Sequence, residues 1–189
     1  MSPTGRREGE SAAMGDGAQD RPPGSPRLSI APGRPVDTPA LMAMIRALAR
    51  YERLEHLCVA TEDDLGVALF GAQPAADVLI ARIDAAPAGF ALFFPTFSTF
   101  LGRRGLWLED LFVYPEHRGA GIGGALLRAV AGVARDRGCG RFEWSVLDWN
   151  APAIRFYERV GATVMPDWRI ARVVGSAIAD LADGRPPAE

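Results

Sequence analysis

Short apolar runs alternate with longer stretches whose apolar positions recur every three or four residues, the pattern of a mixed α/β chain. Leu28-Ser29-Ile30 reads as a first strand. Thr38-Pro39 then supplies an N-cap followed by proline at the first helical position, and Leu41, Ile45 and Leu48 form a stripe, predicting a helix to about Leu54. Thr61-Glu62-Asp63-Asp64 has the spacing of a capping box and begins a shorter helix. Asp77 to Ile83 and Ala88 to Phe94 predict two strands joined around Asp84 to Pro87. A second hairpin closes over Ser98 to Gly105, with Gly102 and Gly105 as turn residues, onto a strand from Leu108 to Tyr114. Ile122, Leu126, Ala129, Val130 and Val133 mark a helix from Gly121 to Arg137 that stops at Gly138, and Arg141 to Leu147 returns as a strand. Strand, glycine turn, helix and strand in that order imply a parallel crossover. Asn150 caps a last helix with Pro152 in its first turn and Gly161 beyond its end. Ala153, Phe156 and Val160 would be its core stripe, with Asn150, Ile154 and Tyr157 on a neighbouring one. There is no internal repeat.

Two acids interrupt the most apolar strand. Strict alternation puts Trp107, Glu109, Leu111 and Val113 on one face and Leu108, Asp110, Phe112 and Tyr114 on the other, unless a bulge intervenes. Each face then holds a carboxylate among large apolar side chains. An unpaired buried carboxylate costs several kcal/mol, so such groups are paired, neutralised or functional. The structural alternative is a strand end open to water with an ordinary ion pair.

Immediately after this strand, Pro115-Glu116-His117-Arg118 leads into Gly119-Ala120-Gly121-Ile122-Gly123-Gly124. Glycines free the backbone to curl around an anion, the following helix points its N-terminus at it, and Arg118 adds a fixed positive charge. The literal G-x-G-x-x-G raises a dinucleotide fold, but four residues separate it from the strand and only 65 residues follow Gly124. That is too little chain for the rest of a doubly wound sheet.

Composition narrows the chemistry further. Residues 1–26 are rich in Gly, Pro, Ser, Asp and Arg and read as a disordered tail. About 160 residues remain, enough for one core. No apolar signal region or membrane-length run occurs, so a soluble cytoplasmic protein is expected, without a membrane partner. A net charge of −2 gives no general case for nucleic acid. All 21 basic residues are arginine, which excludes lysine-based catalysis. Cys58 and Cys139 lack metal or CxxC spacing; neither a disulfide nor a metal is expected.

Arg118-Gly119-Ala120-Gly121-Ile122-Gly123 is similar to the Arg/Gln-x-x-Gly-x-Gly acetyl-CoA signature of the GNAT superfamily of N-acetyltransferases. Leu108 to Val113, Trp149-Asn150-Ala151-Pro152, Phe156 to Ala162 and Ala49-Arg50-Tyr51-Glu52 together resemble its diamine (polyamine) and thialysine acetyltransferase branch. The likeness runs from about Leu28 to Ile170; it is less recognisable over Pro95 to Phe100 and after Met165, so the acceptor is the less defined part. It implies an α/β (mixed α+β) GNAT fold over residues 27–175, with 176–189 as a C-terminal extension. The sheet would splay between the Leu108 and Arg141 strands to admit acetyl-CoA as co-substrate, and the protein would be a homodimer. Pyrophosphate would lie on Arg118 and the amides of Gly119, Ala120, Gly121, Ile122, Gly123 and Gly124. Backbone groups of Leu111, Phe112 and Val113 would hold the pantetheine arm and polarise the thioester, and Asn150 would also contact the cofactor. The acceptor would meet Tyr51, Glu52, Glu109, Asp110, Glu143, Trp144 and Ser145.

The implied chemistry is acetyl transfer to an amine. An amine with a pKa near 10.4 is only about one part in 10³ neutral at pH 7, so its deprotonation needs help. Glu109 is the candidate base, directly or through water, with Asp110 second. Tyr157 matches the family's tyrosine that protonates the leaving thiolate. Each role has a plainer counterpart: Tyr157 as a packing residue, Asn150 as a helix cap, Arg118 paired with Glu116 or solvent, and Trp144 and Trp149 as packing or wall residues. The acceptor expected is a small di- or polyamine or related basic amino acid. An aminoglycoside or protein N-terminus, or a non-catalytic acyl-CoA-binding module, are the alternatives.

Overall fold

The computed structural model of the chain describes residues 27–186, so the tail expected over residues 1–26 lies outside the described residues. Two compact units are present, one running up to Trp144 and the other starting at Ser145.

The first unit holds β1 (Leu28–Pro32), α1 (Thr38–Glu52), α2 (Glu62–Phe70), β2 (Asp77–Ile83), β3 (Ala86–Ser98), β4 (Arg103–Val113), α3 (Ile122–Asp136) and β5 (Arg141–Trp144). The strands lie in the order β1-β2-β3-β4-β5; the first four are antiparallel, and β5 joins β4 in parallel after the α3 crossover. Local signals account for most boundaries. Thr61 and Asp64 form the predicted capping box at α2, with the Asp64 N–H donating to Thr61 Oγ1 at 3.2 Å and the Thr61 N–H to Asp64 Oδ2 at 2.9 Å. Helix α1 begins at Thr38 itself, because a 3-10 turn over Pro35–Asp37 makes Asp37 its N-cap, and Arg82 anchors that Asp37 at 2.7 Å. It stops at Glu52, short of Leu54, where Arg53 turns left-handed with φ 62°.

Residues directly opposite in a ladder share a sheet face. Val78, Ile80, Phe90 and Phe112 face Leu41, Met44 and Leu48 of α1 and Leu69 of α2, forming one core. Leu79, Ala81, Ala91, Phe93 and Leu108 are buried on the opposite face. Helix α3 covers that face: a Cβ at Gly123 would lie 3.8 Å from Val113 Cγ2, and Arg137 sits 5.8 Å from the Phe93 ring centroid. Leu126 and Val130 are fully buried in α3, and truncating such a leucine to alanine costs about 2–5 kcal/mol.

Strand β4 departs from strict alternation. Phe93 pairs with Leu108 but Leu92 pairs with Asp110, so Glu109 is an extra residue in a β-bulge. The bulge moves Trp107 onto the face of Asp110 and Phe112, and Leu108 onto the face of Leu111 and Val113, correcting the faces expected for those two residues. Gly105 is also strand rather than turn: it pairs with Thr96 and Arg141, and a Cβ there would come within 2.5 Å of Thr96 Oγ1. β5 ends at Trp144, three residues before the expected Leu147.

In the second unit, α4 (Ala151–Arg159) and α5 (Ser176–Ala182) are the regular elements among the described residues. Asn150 caps α4 as predicted, its Oδ1 accepting the Ala153 N–H at 3.3 Å, and Gly161 follows the helix with φ 91°. Val160 was expected in the core stripe but lies at the C-cap and is 49% exposed; Tyr157 is the buried side chain, at 9%.

Candidate active site

The glycine loop forms because its backbone takes conformations that side chains resist. After Val113 a 3-10 turn over Pro115–His117 leads to Arg118, and Gly119 and Gly121 both have φ 80°. Gly121 is the N-cap of α3 and brings no side chain to the first-turn amides. The Ala125 N–H donates to Gly121 O at 2.9 Å, closing the first helical turn. The preceding amides of Ile122, Gly123 and Gly124 therefore have no intrahelical acceptor, and the helix dipole adds positive potential there. Buried Ile122 anchors the loop, while Gly119, Ala120 and Gly121 are exposed. These features fit a phosphate ligand.

The second feature is a length of sheet edge without a strand partner. β5 pairs only with Gly105, Leu106, Trp107 and Leu108, whereas β4 continues to Val113. Beyond Leu108 no strand among the described residues joins β4 on that side, so no strand ladder takes up the backbone groups of Leu111, Phe112 and Val113 there.

The bulge then separates the two acids in character. Glu109 is exposed and accepts the Trp107 indole N–H at 2.9 Å. Asp110 faces the α1 side, and burial, with Glu109 and Glu52 repelling its charge, raises its pKa to about 7. Glu52, the last residue of α1, is itself raised by burial. Glu52, Glu109 and Asp110 thus form one electrostatic group.

On β5, Glu143 pairs with Arg141 at 2.6 Å, two residues away on the same face. Trp144 packs on Phe142, with ring centroids 4.9 Å apart. Ser145 is exposed and belongs to the second unit, as do Asn150 and Tyr157. Within that unit the Tyr157 ring lies 5.2 Å from that of Phe156.

One contact was not legible beforehand. Arg118 Nε donates to Val113 O at 3.1 Å while its guanidinium lies 4.6 Å from the centroid of Tyr51. Sequence placed Arg118 with the cofactor and Tyr51 with the acceptor; their separation of more than sixty positions hid the stack. Among the described residues no group of three or more His, Cys, Asp or Glu side chains could hold a metal. No helix there is long and apolar enough to cross a membrane.

A sheet edge without a strand partner beside a glycine loop suited to phosphate, with carboxylates on the same strand, has the makings of an acyl transferase. The sequence model of the Acetyltransferase (GNAT) family matches residues 41–162. The chain belongs to that family and is an N-acetyltransferase, whose members use acetyl-CoA. It is 39% identical to a thialysine N-epsilon-acetyltransferase of Sus scrofa, covering 75% of this chain and 89% of that protein. It is 35% identical to the L-ornithine N5-acetyltransferase NATA1 of Arabidopsis thaliana, covering 76% and 83%. Among solved structures it is similar to an integron cassette protein from the mobile metagenome of V. cholerae, with TM-score 0.69 and 26% identity over 82% of this chain and 97% of that one. The mixed sheet flanked by helices is accordingly the GNAT fold that the motifs implied.

Proposed function

We propose that this protein acetylates a primary amine of a small di- or polyamine or related basic amino acid. The observation that carries the reading is the acidic group of Glu52, Glu109 and Asp110, in which burial opposes ionisation of Glu52 and Asp110 and the charges of Glu109 and Glu52 further oppose that of Asp110. A cationic acceptor relieves that opposition, and a dibasic one can leave an ammonium on one carboxylate while its other nitrogen reacts. Relatives named for thialysine and ornithine support the same acceptor class.

In this reading Arg118 and the amides from Gly119 to Gly124 hold the pyrophosphate of acetyl-CoA, the open edge at Leu111, Phe112 and Val113 holds its extended arm, and Asn150 adds a contact. The bound donor supplies an activated acetyl thioester. Glu109, oriented by Trp107, takes the ammonium proton directly or through water, and the Tyr157 hydroxyl gives a proton to the departing sulfur. General acid and base assistance of this kind is worth about 10²- to 10⁴-fold each. A thiol-release assay across matched monoamines, diamines and basic amino acids tests the reading. Higher kcat/KM for the dibasic acceptors is expected; equal values for monoamines and diamines would reject it and leave the acetyltransferase assignment standing.

A further inference from the structure

We propose that Tyr51 positions Arg118 for the donor's phosphates, so that an aromatic ring at the end of α1 sets part of the affinity for acetyl-CoA. The inference rests on the reading of the Arg118 to Gly124 loop as the pyrophosphate site.

An exposed arginine on a glycine loop samples many rotamers, and each one it must give up on binding an anion weakens the contact. Arg118 is held beforehand. Its Nε donates to Val113 O at 3.1 Å, its guanidinium carbon lies 4.6 Å from the Tyr51 centroid, and the Phe112 centroid is 6.0 Å away. Phe112 is itself held by Tyr114, whose ring meets it edge-on at 5.3 Å. The kind of holding matters. A carboxylate partner would neutralise the charge and occupy the donors at the edge of the guanidinium. A ring takes only its face. With Nε on Val113, the four N–H groups of the terminal nitrogens remain in the plane for a phosphate, at full charge. Tyr51 thus fixes the arginine without competing with its ligand.

The test uses two acetyl donors, acetyl-CoA and S-acetyl-pantetheine, which lacks the phosphates. The readout is the ratio of their kcat/KM values at one fixed acceptor concentration, in which any effect on the acceptor cancels. Tyr51→Leu should lower the ratio about two- to fivefold, the size of a cation–π contact at an exposed site, and Tyr51→Phe should restore it. Arg118→Ala should lower it more, and adding Tyr51→Leu to that variant should change it little further. Far-ultraviolet circular dichroism and thermal melts establish that each variant is folded. A ratio unmoved by Tyr51→Leu, alongside a ratio lowered by Arg118→Ala, would overturn the positioning role while sparing the loop. An unmoved ratio in Arg118→Ala would remove the loop reading and this proposal with it.

Discussion

The β4 bulge lies within the strand at Glu109 and the glycine loop follows that strand's C-terminal end, yet they are built on different physics. The loop works through backbone: two residues with φ 80° and three amides that have no intrahelical acceptor suit an anion, and all lie within a few consecutive positions. The bulge works through burial and charge. Asp110 differs from Glu109, its immediate neighbour, because one faces the α1 side near Glu52 and the other is exposed. A local device survives being read in isolation, whereas a carboxylate's proton affinity belongs to everything packed around it.

Four experiments act on this contrast. The largest effect is expected at the bulge. Glu109→Gln should depress kcat by about 10²- to 10⁴-fold for mono- and diamines alike while leaving acetyl-CoA binding intact. Full activity would move the base to Asp110. At the loop, Arg118→Ala combined with Gly121→Asp should abolish thermal stabilisation by acetyl-CoA, worth about 2.7 kcal/mol at a hundredfold excess over Kd. Aspartate tolerates the left-handed backbone better than most residues, so its charge is the main change. A persisting shift would show that the phosphates lie elsewhere. Glu52→Gln should raise KM about five- to tenfold for a diamine and leave a monoamine nearly unchanged, since the lost contact is with the remote ammonium. Equal changes for both would make Glu52 structural.

The smallest effect concerns stability and pH. Asp110 has its folded-state pKa raised from 3.8 to about 7, so its ionisation opposes folding. Its contribution to stability is intact below pH about 4, is lost as pH rises to about 7, and changes little above that. Asp110→Asn should therefore gain on the wild type between pH 4 and pH 8 in thermal melts, by about 2–4 °C per kcal/mol released. A difference independent of pH would mean that the carboxyl titrates normally.

Most element positions were legible, because caps, prolines and apolar periods act over a few residues. The α2 capping box and the Asn150 cap are examples. What was misjudged depends on partners. Gly105 is a strand residue because it pairs with Thr96 and Arg141, which also leave no room for a Cβ, and Trp107 and Leu108 exchanged faces because β4 carries one more residue than β3 opposite them.

Sequence by itself determined the family, through several short motifs in order along the chain, and the glycine loop, whose backbone preferences are intrinsic to consecutive residues. The tertiary structure alone decided that Asp110 titrates near neutrality and that Tyr51 holds Arg118. Desolvation, repulsion and stacking act through space, and chain separation carries no information about them.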